Sequence, residues 1–248
     1  MKQILTLFAI VLLLSGCIRP GPKPPPPSPT GVKLSSCNAR ILHPKGEKSP
    51  PCIDQHGDPN SSQQALVIGN GEYDHAPLYN PINDAKDMTD TLLEMGFYVT
   101  QANNLDFQTM DKVINDFSKG LSRLSDTTEG VALFYFSGHG ARTKGENFLL
   151  PTDNDNIEME HDLKVNAISV QILLAKMEEV NPGVNLLVLD ACNNNPYPNR
   201  GKSDKRGLAR ITPKGSVVAF AAAPGQLAID TKSNGQGMVY TPQTCLKH

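Results

Sequence analysis

What most constrains the fold of this chain is a series of short, nearly unbroken apolar runs, each closed by a small or polar residue. Ala65 to Gly69, Phe97 to Thr100, Val131 to Phe136, Val184 to Leu189 and Ser216 to Ala222 are too continuous for strands with one wet face. Segments of helical period lie between them. Ile82, Ala85, Met88, Leu92 and Met95 form one, stopped by Gly96. Met110, Val113, Ile114, Phe117 and Leu121 form a second, behind the capping candidate Asp106. A third runs through Ile172, Leu173 and Met177, capped by Ser169 and stopped at Pro182-Gly183. Glu146 to Pro151 reads as a short hairpin or loop excursion. This alternation predicts an α/β domain with a mostly parallel sheet covered on both faces. It does not fix the order of the strands.

Two of the runs end in chemistry. Phe134-Tyr135-Phe136 leads into Ser137-Gly138-His139-Gly140, and Leu189 leads into Asp190-Ala191-Cys192. If both are neighbouring parallel strands, an imidazole and a thiol meet at the carboxyl rim of the sheet, where open α/β folds place their sites. A thiol attacks well only as thiolate, and a nearby imidazole lowers its pKa or takes its proton. Glycines on both sides of His139 free its backbone to approach a ligand. The oxyanion of acyl transfer also needs donors, and the N–H groups of Gly140 and Cys192, read as two loop starts, are the candidates. No side chain suggests itself as orienter of His139; a backbone carbonyl would serve.

The rest of the chain bounds these readings. A formal charge of −2 argues against a nucleic-acid partner. Five cysteines without a CxxC pair or a His/Cys cluster give no zinc site, and no metal ligands are assigned. Lys2 and the apolar Ile4 to Leu14 read as a signal peptide over residues 1–16. Leu14-Ser15-Gly16-Cys17 resembles the lipobox of bacterial lipoproteins, which implies lipidation of Cys17 and anchoring in the cell envelope; Ile18 favours the outer membrane. Residues 17–63 read as a Pro-rich linker, disordered or stapled. Within it Cys37 and Cys52 are either a disulfide or two independent thiols. The globular domain is expected over residues 64–248.

The ordered pieces Ala65 to Gly69, Leu78 to Ala85, Phe134 to Gly140, Asp190 to Cys192 and Gly207 to Arg210 resemble the caspase-like cysteine peptidases, in particular the metacaspases and bacterial p20-type domains. The resemblance spans about Gln64 to Tyr240. It implies a three-layer sandwich around a mostly parallel sheet, with His139 as general base and Cys192 as nucleophile of an endopeptidase. Caspases that cut after Asp carry Gln two positions before the nucleophile and Arg in the first-helix region. Here Asp190 and Asp84 stand there, as in metacaspases. With Ser137 they would line a P1 pocket for Arg or Lys and repel an acidic side chain.

The resemblance implies no cofactor. Calcium activation, known in some metacaspases, finds no convincing ligand spacing, and Asp153 to Glu158 reads as a solvated turn. The partner implied is a peptide or protein with a basic P1 residue; oligomeric state is undetermined. After Tyr240 the sequence is too short for the family's C-terminal helix and edge strand, so an inactive or truncated binding module is the alternative reading. Gly69-Asn70-Gly71 suggests a nucleotide loop, but neither a third glycine nor a Walker lysine follows.

Overall fold

The computed structural model describes residues 37, 51–124, 129–193, 208, 209, 211 and 216–220; for Cys192 and Asn193 only the backbone is described. Among these, eight strands form one mixed sheet. The parallel part is built from β2 (Gln63–Gly69), β3 (Tyr98–Asn103), β4 (Val131–Thr143), β7 (Val184–Asn193) and β8 (Ser216–Phe220). Their order across the sheet is β3-β2-β4-β7-β8, every neighbouring pair parallel. Three antiparallel pieces extend it. β1 (Cys52–His56) covers the outer edge of β3, β5 (Glu146–Leu149) folds back on β4, and β6 (Ile168–Ser169) pairs β5.

Helices lie on both faces, as the double-sided apolar strands require. Helix α1 (Pro81–Glu94) starts with proline at its first turn, where no N–H is needed, and ends before Gly96 at φ 88. It packs so closely on β2 that a Cβ on Gly69 would lie 2.4 Å from the Pro81 carbonyl oxygen. Helix α2 (Phe107–Leu121) is capped by Asp106, whose carboxylate accepts from Thr109 N. After the short α3 (Leu163–Asn166), helix α4 (Val170–Val180) is capped by the Ser169 hydroxyl. Met110, Val113 and Ile114 of α2 and Val170, Leu173 and Met177 of α4 pack on Leu66, Ile68, Phe134, Phe136, Leu187 and Leu189. The α/β class, the mostly parallel sheet and the helix positions are as expected.

Four expectations need correction. The sheet begins ahead of Gln64, because Cys52–His56 pairs with the free edge of β3 inside the stretch read as linker. Its alternating exposure gives a strand too polar to register as an apolar run. β3 opens at Tyr98 rather than Phe97. Ile172 is 59% exposed, and Val170 and Leu174 fill the buried face of α4 instead. Most consequentially, β4 does not stop at Phe136. Where β2 ends, β5 takes over the same edge through a two-residue turn at Lys144-Gly145, both with positive φ, so His139 and Gly140 are strand residues. The expectations on Cys17, the signal peptide, residues 221–222 and the C-terminal helix and edge strand fall outside the described residues.

Candidate active site

β4 and β7 run side by side for ten register pairs, and two of these pairs carry the residues singled out above. Ser137 is the Cα partner of Asp190, and His139 is the Cα partner of Cys192. Side chains alternate along a strand, so residues 137 and 139, like 190 and 192, share one face of the pleat. Residue 192 therefore stands directly beside His139, one strand spacing of about 4.8 Å away. Gly140 pairs with Asn193 on that side and Leu149 on the other, so Gly140 and Cys192 both lie within strands and not at loop starts.

His139 is buried at 4% exposure and held on two sides. Its Nε2 lies 2.6 Å from the carbonyl oxygen of Ala76. A carbonyl only accepts, so Nε2 carries the proton and Nδ1 is left as the basic nitrogen of the neutral ring. Ala76 presents this oxygen from a left-handed backbone, φ 60, immediately before Pro77. That conformation costs an alanine roughly 1–2 kcal/mol. The second hold is Tyr73. Its hydroxyl accepts from His139 N at 2.7 Å, and its ring lies 4.4 Å from the imidazole. Burial pushes the Tyr73 phenol pKa far up, outweighing the opposing hydrogen bonds from His139 and Asn70.

On the same face as His139, Ser137 Oγ donates to Asp84 Oδ2 at 3.1 Å. Asp84 sits in the first turn of α1, where the helix dipole favours a carboxylate. That placement follows from the close seating of Pro81 over Gly69. Ser137, Asp84 and Asp190 are all buried. The register pair and the hydrogen bond thus gather two carboxylates and one hydroxyl next to the His139–Cys192 pair.

Sequence reasoning missed the loop that carries Tyr73 and Ala76. Three buried asparagines hold it. Asn70 Oδ1 accepts from Leu105 N at 2.9 Å, and its amide donates to the carbonyls of Leu105 and Leu150. Asn104, at φ 55, accepts from both Gly71 N and Glu72 N at 3.1 Å. Asn154 grips the main chain of His75 from both ends, accepting at 2.8 Å and donating at 2.9 Å. Gly69-Asn70-Gly71 is thus a structural clip in the fold. The only hint in the sequence was the density of Asn and Gly around short apolar runs, which reads equally well as plain turns.

The run Asp153 to Glu158 is likewise no simple solvated turn. Asn154 and Ile157 are buried, and Asp153 accepts from Phe107 N at 2.9 Å. Among the described residues, no cluster of three His, Cys, Asp or Glu side chains could hold a metal ion. Cys37 and Cys52 are joined by a disulfide that ties residue 37 to β1, and Cys37 N donates to Asp54 at 2.6 Å. Asn147 of β5 grips the main chain of Ala209, with bonds of 2.6 and 2.8 Å, which seats Ala209 against β5.

Comparison with known proteins gives this geometry its context. The chain is 31% identical over 142 residues to the mucosa-associated lymphoid tissue lymphoma translocation protein 1 homolog of Mus musculus, covering 56% of this chain and 16% of that protein. It is 32% identical over 130 residues to the corresponding Homo sapiens protein, covering 52% of this chain and 15% of the relative. The matched stretch thus spans about a sixth of the length of these relatives. The family model of the caspase domain matches residues 62–247, which takes in the sheet from β2 onward with Asp84, Ser137, His139, Asp190 and Cys192. The chain therefore belongs to the caspase-domain family of cysteine peptidases.

Proposed function

We propose that the protein is a cysteine endopeptidase that cleaves after Arg or Lys, with Cys192 as nucleophile and His139 as base. The observation that carries this reading is the register pairing of His139 with Cys192 on adjacent parallel strands. His139 Nδ1 takes the thiol proton while Ala76 holds the ring through Nε2. The thiolate attacks the scissile carbonyl, and the proton on the imidazole passes to the leaving amine. Water then hydrolyses the thioester, with His139 again acting as base. The N–H groups of Gly140 and Cys192 serve the oxyanion. Successive strand N–H groups alternate in direction, and that of His139 points to Tyr73, so that of Gly140 points along the sheet to β7, and the last β4–β7 rung must open for it to reach the oxyanion.

Basic specificity is supported by Asp84, Ser137 and Asp190, three oxygen-bearing side chains gathered beside the dyad. A guanidinium or ammonium there would meet two carboxylates in a water-poor pocket, and an acidic side chain would be repelled. Fluorogenic peptides differing only at P1 test both parts. Hydrolysis should favour Arg and Lys over Asp and vanish in Cys192→Ala; turnover that survives this substitution, or favours Asp, refutes the reading.

The lipobox-like Leu14 to Cys17 supports a lipid-anchored enzyme in the bacterial cell envelope, most naturally at the outer membrane. Cys17→Ser should then move the protein from the membrane fraction to the soluble one.

A further inference from the structure

We propose that Tyr73 is a positioning residue for His139, acting through a hydroxyl inserted into the β-ladder. The inference rests on the His139–Cys192 reading above. Along one edge of β4 the pairing with β2 ends at Ser137, opposite Gly69, and the pairing with β5 begins at Gly140, opposite Leu149. His139 lies in the gap. One half of the next ladder rung is present, since Leu150 N donates to His139 O at 2.9 Å. Its other half, His139 N to Leu150 O, would complete a closely spaced antiparallel pair.

Tyr73 stands in that place. Its hydroxyl accepts from His139 N at 2.7 Å and donates to Leu150 O at 3.3 Å, relaying the rung through a side chain. Inserting an oxygen holds the two strands apart on this side only, which sets the tilt of the His139 peptide. The Tyr73 ring, against the imidazole at 4.4 Å, also limits rotation of the side chain. The insertion needs Gly138: a Cβ there would lie 2.4 Å from the Tyr73 hydroxyl oxygen and 2.8 Å from the Phe136 ring. The buried His139 N–H must have an acceptor, so losing the hydroxyl forces the backbone to move or leaves the group unpaired. Gly138 and Tyr73 thus form a matched pair, one making room for the other.

The test uses the full chain as wild type, Tyr73→Phe, Gly138→Ala and the double variant. Two quantities are measured: steady-state hydrolysis of an Arg-P1 peptide, and the pH dependence of Cys192 alkylation by iodoacetamide, resolved from other cysteines by peptide mass spectrometry. For Tyr73→Phe, kcat should fall at least about tenfold with KM within about twofold, as expected when a reacting group is misplaced. The alkylation midpoint should rise, because a badly placed imidazolium stabilises the thiolate less. Gly138→Ala should be impaired, and removing the hydroxyl in the double variant should restore part of the loss.

A Tyr73→Phe protein with wild-type kcat and alkylation profile overturns the proposal. So does a loss of activity that follows only the folded fraction, with the alkylation midpoint unmoved. If the wild type cleaves no basic peptide while its alkylation profile still shifts in Tyr73→Phe, the substrate reading fails and the role of Tyr73 stands.

Discussion

Asp84 and Ser137, on a helix and a strand 53 positions apart, share a buried hydrogen bond of 3.1 Å. It ties the first turn of α1 to the strand that carries His139, and it does so next to Asp190, the register partner of Ser137. Replacing either Asp84 or Asp190 by Asn should weaken transition-state binding of a basic P1 residue by roughly 2–5 kcal/mol, as for other desolvated charge pairs. This corresponds to a loss of about thirtyfold or more in kcat/KM for Arg and Lys peptides. Equal values for variant and wild type would exclude that carboxylate from the pocket.

The seat of Asp84 depends on Gly69. Gly69→Ala would place a Cβ 2.4 Å from the Pro81 carbonyl and 2.8 Å from Ala85 Cβ, so α1 must shift away from the sheet. Overpacking of this kind costs about 1–3 kcal/mol. Urea unfolding should show that loss, and the preference for Arg over neutral P1 residues should fall more steeply than turnover of the neutral peptide.

Alkali should act through Tyr73. Its folded pKa lies above the ordinary value of 10.0, because burial disfavours the phenolate. The unfolded chain therefore releases this proton first. Stability is intact below about pH 10 and falls above it, by at most about 1.4 kcal/mol per pH unit from this group. Urea midpoints measured from pH 9 to 11 should decline less in Tyr73→Phe than in wild type. Parallel curves would show that the phenol does not contribute.

The Cys37–Cys52 disulfide closes a loop with a sequence separation of 15. Chain entropy assigns such a loop about 3 kcal/mol. Cys37→Ser/Cys52→Ser should lower the urea stability by up to that amount. It should leave kcat near wild type, since β1 lies on the opposite side of β3 and β2 from the β4–β7 pair. A large loss of turnover with little loss of stability would contradict this separation.

The readings that succeeded from sequence rest on local periodicity. Ala65 to Gly69 and Val184 to Leu189 declare buried strands because both faces are apolar. Asp106 and Ser169 declare helix starts because their side chains satisfy N–H groups a few residues away. Where side-chain pattern and partner disagree, local reading failed. Ser137 to Gly140 look like a loop by composition, but β5 supplies a backbone partner that composition cannot reveal. The Cys52–His56 strand is too polar to be seen alone, and only the open edge of β3 makes it a strand.

The sequence by itself determined the α/β class and the residues able to do nucleophilic chemistry, because hydrophobic period and functional-group identity are carried residue by residue. The tertiary structure decided which of them meet. Register brings position 192 beside His139 and Asp190 beside Ser137. The seating of α1 brings in Asp84, and a loop gripped by three asparagines brings Ala76 and Tyr73 onto the histidine. These last contacts join residues more than sixty positions apart through backbone groups and a strand gap. Every residue has such groups, so their use is fixed only when distant segments are already packed.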